Sequence, residues 1–188
     1  MIYTKTEIPD LWLIEPMVYG DERGYFMEVF KKTDFQLNIG TFDFVQDNES
    51  RSTQGVWRGL HYQLEPYAQA KLVRVIQGTI LDVAVDIRIG SPTFGKFVAV
   101  ELSGDNKHQL FIPKGFAHGF YVMSDFAVFI YKVDNPYMPA YERAIRYNDP
   151  FIGIDRDKHW GHTAVMSDKD RYAPLLSEAE NNFQYQMR

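Results

Sequence analysis

Apolar and polar residues alternate with a period of two through much of the chain, and this pattern predicts β-strands. In the clearest run, one face would carry Leu81, Val83, Val85 and Ile87, and the other Asp82, Ala84, Asp86 and Arg88. The same pattern, rich in Val, Ile, Phe and Tyr, predicts about nine strands. They lie at residues 25–30, 42–46, 56–63, 71–76, 81–88, 97–102, 109–112, 119–123 and 127–133.

Turn residues indicate how these strands connect. Gln77 and Gly78 separate the strand predicted at 71–76 from the one at 81–88, so we expect a hairpin there. Turn signals recur about every ten residues, which favours a sandwich or a barrel over alternating strands and helices. We therefore predict an all-β fold and a single domain over residues 1–188.

Helical periodicity is weak and confined to two short stretches. Residues 33–40 and 175–184 are the candidates, and we expect them at the periphery of the strands. Residues 134–157 carry several prolines and no regular pattern. Such a segment is typical of a lid or of an extension packed around a barrel.

Composition narrows the functional classes. The chain has no cysteine, which excludes a redox dithiol, a zinc-thiolate site and a cysteine nucleophile. Its 20 Lys and Arg residues against 25 Asp and Glu residues give a net charge of −5, so we expect no nucleic-acid or membrane partner. The first residues include acidic side chains and no long apolar run, so we predict a cytoplasmic protein without a signal peptide.

The five histidines are the first candidates for acid–base chemistry. Strict alternation would put Arg58 and His61 on opposite faces of a strand, whereas a bulge at Gly59 would turn both to one side. A hydrogen-bonded core histidine beside a surface arginine remains the alternative. His118 ends a Pro-x-Gly-x-x-His stretch that is similar to half of the cupin barrel signature, in which this histidine faces the lumen. We expect three others to be solvated: His108, His159 and His162.

A metal-binding cupin needs a His-x-His pair and a following Glu on the earlier strand. This chain has His61-Tyr62-Gln63 at that place, so the ligand set is incomplete. We therefore expect neither a metal nor another cofactor. The remaining polar groups suit acid–base catalysis, because the pKa of histidine lies nearest to neutral pH.

One series of motifs runs along nearly the whole chain, from Ile8 to about Leu176. Its members are Asp21-Glu22-Arg23-Gly24-Tyr25-Phe26, Gln46-Asp47-Asn48, Arg58-Gly59-Leu60-His61, Lys71-Leu72-Val73, Asp82-Val83-Ala84-Val85-Asp86-Ile87-Arg88, Pro113-Lys114-Gly115-Phe116-Ala117-His118-Gly119-Phe120 and Tyr131-Lys132. In order and spacing, this series resembles the dTDP-4-dehydrorhamnose 3,5-epimerase family.

The resemblance implies a cupin-type double-stranded β-helix jelly roll with short peripheral helices. It also implies a metal-free enzyme that forms a homodimer sharing an N-terminal strand. The implied substrate is a dTDP-linked 4-keto-6-deoxyhexose, inverted at the two carbons that flank the ketone, in the pathway to dTDP-L-rhamnose for bacterial surface polysaccharide. The ketone acidifies the protons on these carbons. A base must remove each proton, the enolate oxygen must be stabilised, and a proton must return to the opposite face.

Four residues match the catalytic positions of that family. His61 would be the base and Asp170 the carboxylate that orients it, although Asp170 could instead belong to a capping box with Ser167. Tyr131 would be the general acid, or else an aromatic core residue. Lys71 would stabilise the enolate oxygen, or else be a solvated lysine at the start of a strand.

Other residues match the family's substrate-binding positions. Arg23 and Arg58 would hold the pyrophosphate, since a guanidinium group suits paired phosphate oxygens, and Phe26 would stack on the thymine. The remaining positions around the nucleotide and the sugar fall on Glu28, Gln46, Asp47, Asn48, Lys71, His118, Glu142 and Lys169. We expect structural roles for Asp82 and Asp86.

Two other functions stay open at this point. A single-carbon epimerase that acts on another nucleotide-linked 4-keto sugar would carry almost the same motifs. A non-catalytic cupin that binds a sugar nucleotide is the second alternative, because a fold does not determine a function. The stretch from Asp157 to His162 matches none of the motifs, and we assign it no role.

Overall fold

The computed structural model describes residues 1–155 and 164–186, and the statements below concern these residues. Their strands are β1 (Ile2–Lys5), β2 (Trp12–Glu15), β3 (Val18–Asp21), β4 (Gly24–Met27), β5 (Gln46–Thr53), β6 (Trp57–Gln63), β7 (Lys71–Gln77), β8 (Thr79–Asp86), β9 (Phe97–Ser103), β10 (Gln109–Ile112), β11 (Phe116–Val122), β12 (Phe126–Val133) and β13 (Glu142–Ala144). The helices are α1 (Lys32–Asn38) and α2 (Asp168–Arg171), with a 3-10 turn at Pro139–Tyr141. None of these described helices has the length and apolar character needed to cross a bilayer. The stretch from Asp157 to His162 lies outside the described residues.

Two antiparallel sheets face each other, and one hairpin stands apart from both. The six-stranded sheet has the order β1-β2-β10-β7-β12-β5, and the five-stranded sheet has the order β13-β6-β11-β8-β9. The separate hairpin consists of β3 and β4. Two antiparallel sheets whose strands are joined across the sandwich form a jelly roll. The predicted all-β, cupin-type jelly roll with short peripheral helices is therefore confirmed.

Apolar residues fill the space between the two sheets, which we call the lumen. Val73 and Phe129 enter it from the six-stranded sheet, and Ala84 and Phe120 from the five-stranded sheet. The outer face of the five-stranded sheet is covered by the C-terminal part of the chain. The outer face of the six-stranded sheet is covered by α1 and the aromatic residues around it. Since the lumen is mainly apolar, each polar side chain inside it requires a physical explanation.

The connection at Gln77 and Gly78 differs from the prediction. β7 pairs with β10 and β12, whereas β8 pairs with β9 and β11. The predicted hairpin is therefore wrong, and the chain passes here from one sheet to the other. The glycine itself is required, because Gly78 has a φ of +82° and a Cβ would lie 2.0 Å from the carbonyl oxygen of Phe126. A local turn signal does not reveal which distant strands will pair.

Two predicted elements are wrong for identifiable reasons. The strand predicted at 42–46 is irregular up to residue 45, and β5 begins only at Gln46. Every residue of β5 is polar, so hydrophobic alternation could not reveal it; pairing along its whole length with β12 creates it. The helix predicted at 175–184 forms turns and bends instead. The helix predicted at 33–40 is confirmed by α1.

Candidate active site

A bulge in β6 turns two polar side chains into the lumen. Leu60 packs on the outer face of the sheet, whereas Arg58 and His61 both point inwards. Gly59, with a φ of +123°, absorbs the extra residue where the register between β6 and β11 shifts. A Cβ at Gly59 would lie 2.5 Å from the Cα atom of Gly119. The predicted bulge is therefore confirmed.

His61 forms a pair with the carboxylate of Asp170. Nε2 of His61 lies 2.6 Å from Oδ1 of Asp170, and 29% of the His61 side chain is exposed while that of Asp170 is buried. Ser167 caps α2 by accepting the backbone N–H of Asp170, so the cap and the pair coexist. Burial alone would raise the pKa of Asp170, but hydrogen bonds from His61 and Ser167 keep it below its ordinary value. The ionised carboxylate accepts from Nε2, which leaves Nδ1 of His61 to take a proton.

Lys71 places a buried cation beside this pair. It lies at the start of β7, and its ammonium reaches across the lumen to within 3.4 Å of the carbonyl oxygen of His61. Burial lowers the pKa of Lys71 to about 8, while the charges of Asp82 and Glu142 oppose this effect. The alternative of a solvated lysine is wrong, because only 8% of Lys71 is exposed.

A second histidine–carboxylate pair lies next to the first. His118 stands opposite His61 in the register of β6 and β11. Its Nε2 lies 3.0 and 2.9 Å from the two carboxylate oxygens of Asp82, and both side chains are buried. Burial lowers the pKa of His118; Asp82 opposes this, and the nearby Lys71 adds to it. His118 is therefore a neutral imidazole at neutral pH.

Tyr131 faces the lumen from β12, in the sheet opposite His61. Burial raises the pKa of Tyr131, the charge of Glu142 adds to this effect, and Arg58 opposes it. The hydroxyl consequently stays protonated at neutral pH. A protonated phenol on the far side of the lumen from a histidine base is suited to donate a proton.

Polar residues also line the rim of the lumen. Glu142 on β13 pairs with Lys169 of α2 and accepts a hydrogen bond of 2.8 Å from the hydroxyl of Tyr137. The backbone N–H of Tyr137 donates to the side chain of Gln46, which in turn donates to Asn48 on the same face of β5. These contacts join the irregular segment after β12 to the polar strand β5.

Arg58 is available to an anion at the same rim. Its Nε donates to the hydroxyl of Ser52 at 2.9 Å, and the residue as a whole is exposed. One nitrogen is thus anchored to β5 while the rest of the planar guanidinium group faces solvent. Such a group binds two phosphate oxygens in parallel.

The single chain does not bring Arg23, Phe26 and Glu28 to the lumen. Arg23 lies at the tip of the β3–β4 hairpin, where 84% of its side chain is exposed and its guanidinium group pairs with Asp21. Phe26 is 68% exposed on the same hairpin, and Glu28 just after it is exposed as well. These three residues form a separate group.

Asp47 also points away from the lumen. Successive residues of a strand face opposite sides, and Asp47 lies between the inward-facing Gln46 and Asn48. Its carboxylate pairs with the ammonium of Lys132 at 2.9 Å, beside a cleft of about 610 Å³ on the outer face of the six-stranded sheet. The structure therefore separates the side chain of Asp47 from its two neighbours.

Sequence reasoning missed two residues of this site. Asp82 was expected to have a structural role, so its contact with His118 in the lumen was not predicted. Tyr137 lies in the segment without a regular pattern, so no periodicity marked it. The Asp82–His118 contact joins residues 36 positions apart, which a local pattern cannot indicate.

The lumen therefore combines a partly exposed imidazole, a protonated phenol and a buried ammonium group. His61 and Tyr131 project from opposite sheets, and Lys71 lies beside His61. Among residues 1–155 and 164–186, no group of three or more His, Cys, Asp or Glu residues is placed to hold a metal ion. This arrangement suits removal of a proton from one face of a small molecule and its return to the other.

Comparison with known proteins identifies close relatives. A family model described as dTDP-4-dehydrorhamnose 3,5-epimerase matches residues 5–178. A dTDP-4-dehydrorhamnose 3,5-epimerase of Shigella flexneri is 57% identical over 168 residues, which cover 88% of this chain and 91% of that relative. The family model covers every strand from β2 to β13.

Solved structures show the same similarity. A dTDP-6-deoxy-D-glucose-3,5-epimerase from Legionella pneumophila, in complex with dTDP-4-keto-L-rhamnose, is 50% identical, with a TM-score of 0.93 over 99% of both chains. A 3'-monoepimerase from Streptomyces bikiniensis, in complex with dTDP-quinovose, is 34% identical, with a TM-score of 0.85 over 92% of this chain and 86% of that one. Both relatives were solved with dTDP-linked sugars.

Proposed function

The chain belongs to the dTDP-4-dehydrorhamnose 3,5-epimerase family, and from this membership we propose how its lumen performs the reaction. It is an isomerase that inverts carbons 3 and 5 of dTDP-4-dehydro-6-deoxy-glucose and thereby forms dTDP-4-dehydro-L-rhamnose, in dTDP-L-rhamnose biosynthesis. The observation that carries the proposed roles is the placement of His61 and Tyr131 on opposite sides of the lumen.

His61 is the base in this proposal. Its ring is fixed by the 2.6 Å contact with Asp170, and Nδ1 is the free nitrogen. When Nδ1 takes a proton from carbon 3 or 5, the buried carboxylate stabilises the resulting imidazolium. The partial exposure of His61 supports this role, because the sugar must reach the ring.

Lys71 and Tyr131 complete the reaction. Removal of the proton moves negative charge to the oxygen on carbon 4, and the ammonium of Lys71 stabilises this enolate oxygen. Tyr131 then delivers a proton to the opposite face of the carbon, which inverts it. His118, Glu142 and Lys169 hold the sugar in place, since their polar atoms surround the same space.

The nucleotide binds at the rim. Arg58 pairs with the pyrophosphate, and Gln46 and Asn48 on β5 contact the nucleotide through their inward-facing amides. Tyr137 is a half-exposed aromatic residue beside Gln46. It is a second candidate, besides Phe26, for stacking on the thymine. Asp47 contributes through its backbone, because its side chain faces Lys132.

A second copy of the chain completes the site. The β3–β4 hairpin belongs to neither sheet and exposes Val18, Tyr19 and Tyr25 together with Phe26, and such an apolar surface is typical of an interface. In a homodimer, this hairpin would carry Arg23 and its neighbours to the rim of the partner. A cytoplasmic location stays a prediction from composition.

Proton NMR of dTDP-4-dehydro-6-deoxy-glucose in heavy water tests the function. We expect the protein to exchange the hydrogens on carbons 3 and 5 for deuterium and to form the L-rhamno product. Exchange at one carbon would indicate a single-carbon epimerase, and no exchange would indicate a binding protein.

The same assay tests the absence of a metal requirement. We expect the rate to be unchanged after exhaustive chelation, because the residues at His61-Tyr62-Gln63 lack the cupin ligand pattern. Loss of activity that one added divalent ion restores would contradict this expectation.

A further inference from the structure

Gln63 is a buried polar residue that has no part in the roles assigned above. It ends β6, two positions after His61, and only 3% of it is exposed. Burying an amide is unfavourable unless hydrogen bonds replace its contacts with water. The partners of the Gln63 amide therefore indicate what this side chain does.

Within the described part of the chain, the Gln63 side chain makes three hydrogen bonds, all to backbone groups. Its Nε2 donates to the carbonyl oxygens of Tyr67, at 2.7 Å, and of Pro136, at 3.2 Å. Its Oε1 accepts the N–H of Met138 at 2.6 Å. A primary amide has two N–H donors and one oxygen. Both ends of the Gln63 amide are thus engaged, which fixes the orientation of the side chain.

Two of these bonds lie on either side of Tyr137. Pro136 precedes this residue and Met138 follows it, so one amide holds the backbone before and after Tyr137. Residues 134–138 belong to no strand or helix. The backbone groups of such a segment need partners other than those of a regular ladder. Gln63 is therefore a buried anchor for the backbone that carries Tyr137.

This backbone holds the ring of Tyr137 at the rim of the lumen. The N–H of Tyr137 donates to Oε1 of Gln46 at 3.1 Å, and its hydroxyl donates to Glu142 at 2.8 Å. The residue is nevertheless 49% exposed. An exposed aromatic ring that is held at its backbone and at its hydroxyl is suited to stack on a base.

We propose that Gln63 is a positioning residue for the nucleotide: by holding Pro136 and Met138, it fixes the ring of Tyr137 where the thymine stacks. This inference rests on the proposed function, because it requires Tyr137 to contact the nucleotide. A ring that is held in place beforehand loses little conformational entropy when a ligand binds. Loss of the anchor should therefore weaken nucleotide binding and leave the proton transfers at the sugar unaffected.

Titration with dTDP tests the effect on binding. Gln63→Met keeps an unbranched side chain of similar length but removes all three hydrogen bonds. We expect it to weaken dTDP binding about fivefold or more, as loss of one stacking contact does. KM for the dTDP-linked sugar should rise by a similar factor, and kcat should stay near its native value. Native affinity for dTDP in folded Gln63→Met would overturn the proposal.

The native protein and Tyr137→Ala separate this inference from the proposed function. If the native protein does not bind dTDP, the nucleotide role of the rim is wrong and the inference falls with it. If the native protein binds dTDP but Gln63→Met binds it equally well, only the role of Gln63 is wrong. Tyr137→Ala should weaken binding at least as much as Gln63→Met, and native affinity in this variant would overturn the inference.

A double-mutant cycle tests whether Gln63 acts through Tyr137. Tyr137→Ala removes the ring, so Gln63→Met should have little further effect on dTDP binding in that background. An equal effect in both backgrounds would overturn the proposal. Gln63 would then act by another route, such as its pairing with Glu142 between β6 and β13.

Gln69→Met is the matched control. Gln69 is a half-buried glutamine whose Nε2 donates to the carbonyl oxygen of Asn135 at 2.8 Å, so it anchors the same segment without flanking Tyr137. Its loss should lower the melting temperature and leave dTDP binding near the native value. A loss of affinity as large as that of Gln63→Met would mean that any anchor of this segment has the effect, and the proposal would fail.

A measurement on the native protein keeps the proposal testable should Gln63→Met fail to fold. Coupling between two sites is reciprocal, so if the Gln63 bonds favour dTDP binding, bound dTDP must stabilise the Gln63 bonds. ¹⁵N NMR follows the exchange of the Gln63 side-chain N–H protons with water, with and without dTDP. We expect dTDP to slow this exchange and to leave that of the exposed Gln184 unchanged. Exchange at Gln63 that dTDP does not slow would contradict the proposal.

Discussion

His61 and His118 make the same contact with a carboxylate, yet their surroundings give them different chemistry. Each binds an aspartate through Nε2, and the two histidines are direct neighbours across β6 and β11. His118 is 6% exposed and its pKa is lowered by burial, so it resists protonation. The His61 side chain is 29% exposed and its ring rests on Asp170, whose pKa is held low. His61 is consequently the histidine that can take a proton from a substrate.

His61→Ala should abolish deuterium exchange at both sugar carbons while the fold stays intact. Loss of the base removes a contribution of about 10²–10⁴ in rate. NMR in heavy water measures the exchange, and circular dichroism checks the fold. His108→Ala is the control, because His108 lies near Glu15 on the surface and should retain full activity. Exchange near the native rate in His61→Ala would assign the base to another residue.

The buried ammonium group of Lys71 lowers the stability of the folded chain. Its pKa falls from an ordinary 10.5 to about 8. At neutral pH the Lys71 nitrogen is therefore still protonated, but the folded chain holds this proton less tightly than the unfolded chain does. Lowering the pKa of Lys71 from 10.5 to about 8 corresponds to roughly 3 kcal/mol of destabilisation. This cost is fully present below pH 8 and is relieved as pH rises from about 8 towards 10.5.

Lys71→Met should therefore be more stable than the native protein at pH 7 and inactive. The gain in unfolding free energy should be up to roughly 3 kcal/mol at pH 7 and should shrink above pH 8. Urea denaturation at several pH values measures it. Lys96→Met, at an exposed turn, should change neither stability nor activity. A less stable Lys71→Met at pH 7 would show that the contacts of the ammonium outweigh its burial.

Tyr131→Phe should separate proton removal from proton return. The substitution deletes the hydroxyl but keeps the ring that packs on Phe129, so His61 can still withdraw protons. We expect deuterium to enter the substrate faster than inverted product forms. Tyr62→Phe is the control, because Tyr62 donates to the carbonyl of Glu180 and should lose stability without changing this ratio. Equal loss of exchange and inversion in Tyr131→Phe would assign Tyr131 to binding.

The bulge in β6 brings the side chains of Arg58 and His61 to the same side of the sheet. Without it, Arg58 and His61 would lie on opposite faces of the strand. Gly59 makes the bulge possible, since a side chain there would collide with the backbone of Gly119. In the proposed function, binding of the pyrophosphate by Arg58 and removal of the proton by His61 therefore both depend on this bulge.

Gly59→Ala should destabilise the fold and abolish activity. A Cβ placed 2.5 Å from Gly119, at a positive φ, should cost roughly 1–3 kcal/mol or more. Thermal unfolding and the exchange assay measure the two effects. Gly20→Ala is the matched control, because its Cβ would meet only the carbonyl oxygen of Gly24 at 3.7 Å. A native melting temperature in Gly59→Ala would show that β6 can rearrange.

The strands that alternate clearly were predictable, and those defined by distant partners were not. β6 to β12 are apolar on at least one face, and their positions follow from the sequence. β5 is wholly polar because one of its faces lines the lumen rim and the other faces solvent, so its pattern resembles a loop. The hairpin at Gly78 was wrong for a related reason: the turn is local, but β7 and β8 find partners in different sheets.

The candidate site shows the same division. The glycine in the strand indicated the bulge that turns Arg58 and His61 to one side, but the sequence left open the alternative of a core histidine beside a surface arginine. The contact of His61 with Asp170 joins residues 109 positions apart, and only family motifs indicated it. The Asp82–His118 pair had no such signal. Burial and charge compensation in the lumen, which decide these contacts, are properties of the folded chain.

One chain places every proposed catalytic side chain at the lumen, but not every residue proposed to bind the substrate. The lumen holds His61, Lys71 and Tyr131, whereas Arg23 and Phe26 lie exposed on a hairpin outside both sheets. A homodimer with two equivalent sites would explain both facts, because the same hairpin can serve the other copy. The functional unit would then contain residues from two chains in each site.

Mixing two inactive variants should therefore restore activity. The His61→Ala variant lacks the base but has an intact hairpin. The double variant Arg23→Ala/Phe26→Ala has the base but lacks the two hairpin side chains. If the hairpin serves the partner, each mixed dimer contains one site with both defects and one intact site. When equal amounts of the two variants exchange subunits at random, about a quarter of all sites in the mixture are intact. About a quarter of the native activity should then return. The deuterium-exchange assay, run before and after the two variants are refolded together, measures this recovery.

His61→Ala refolded alone is the control and should stay inactive. If the hairpin serves its own chain, no mixed dimer has an intact site, and recovery would not exceed the activity of the hairpin variant alone.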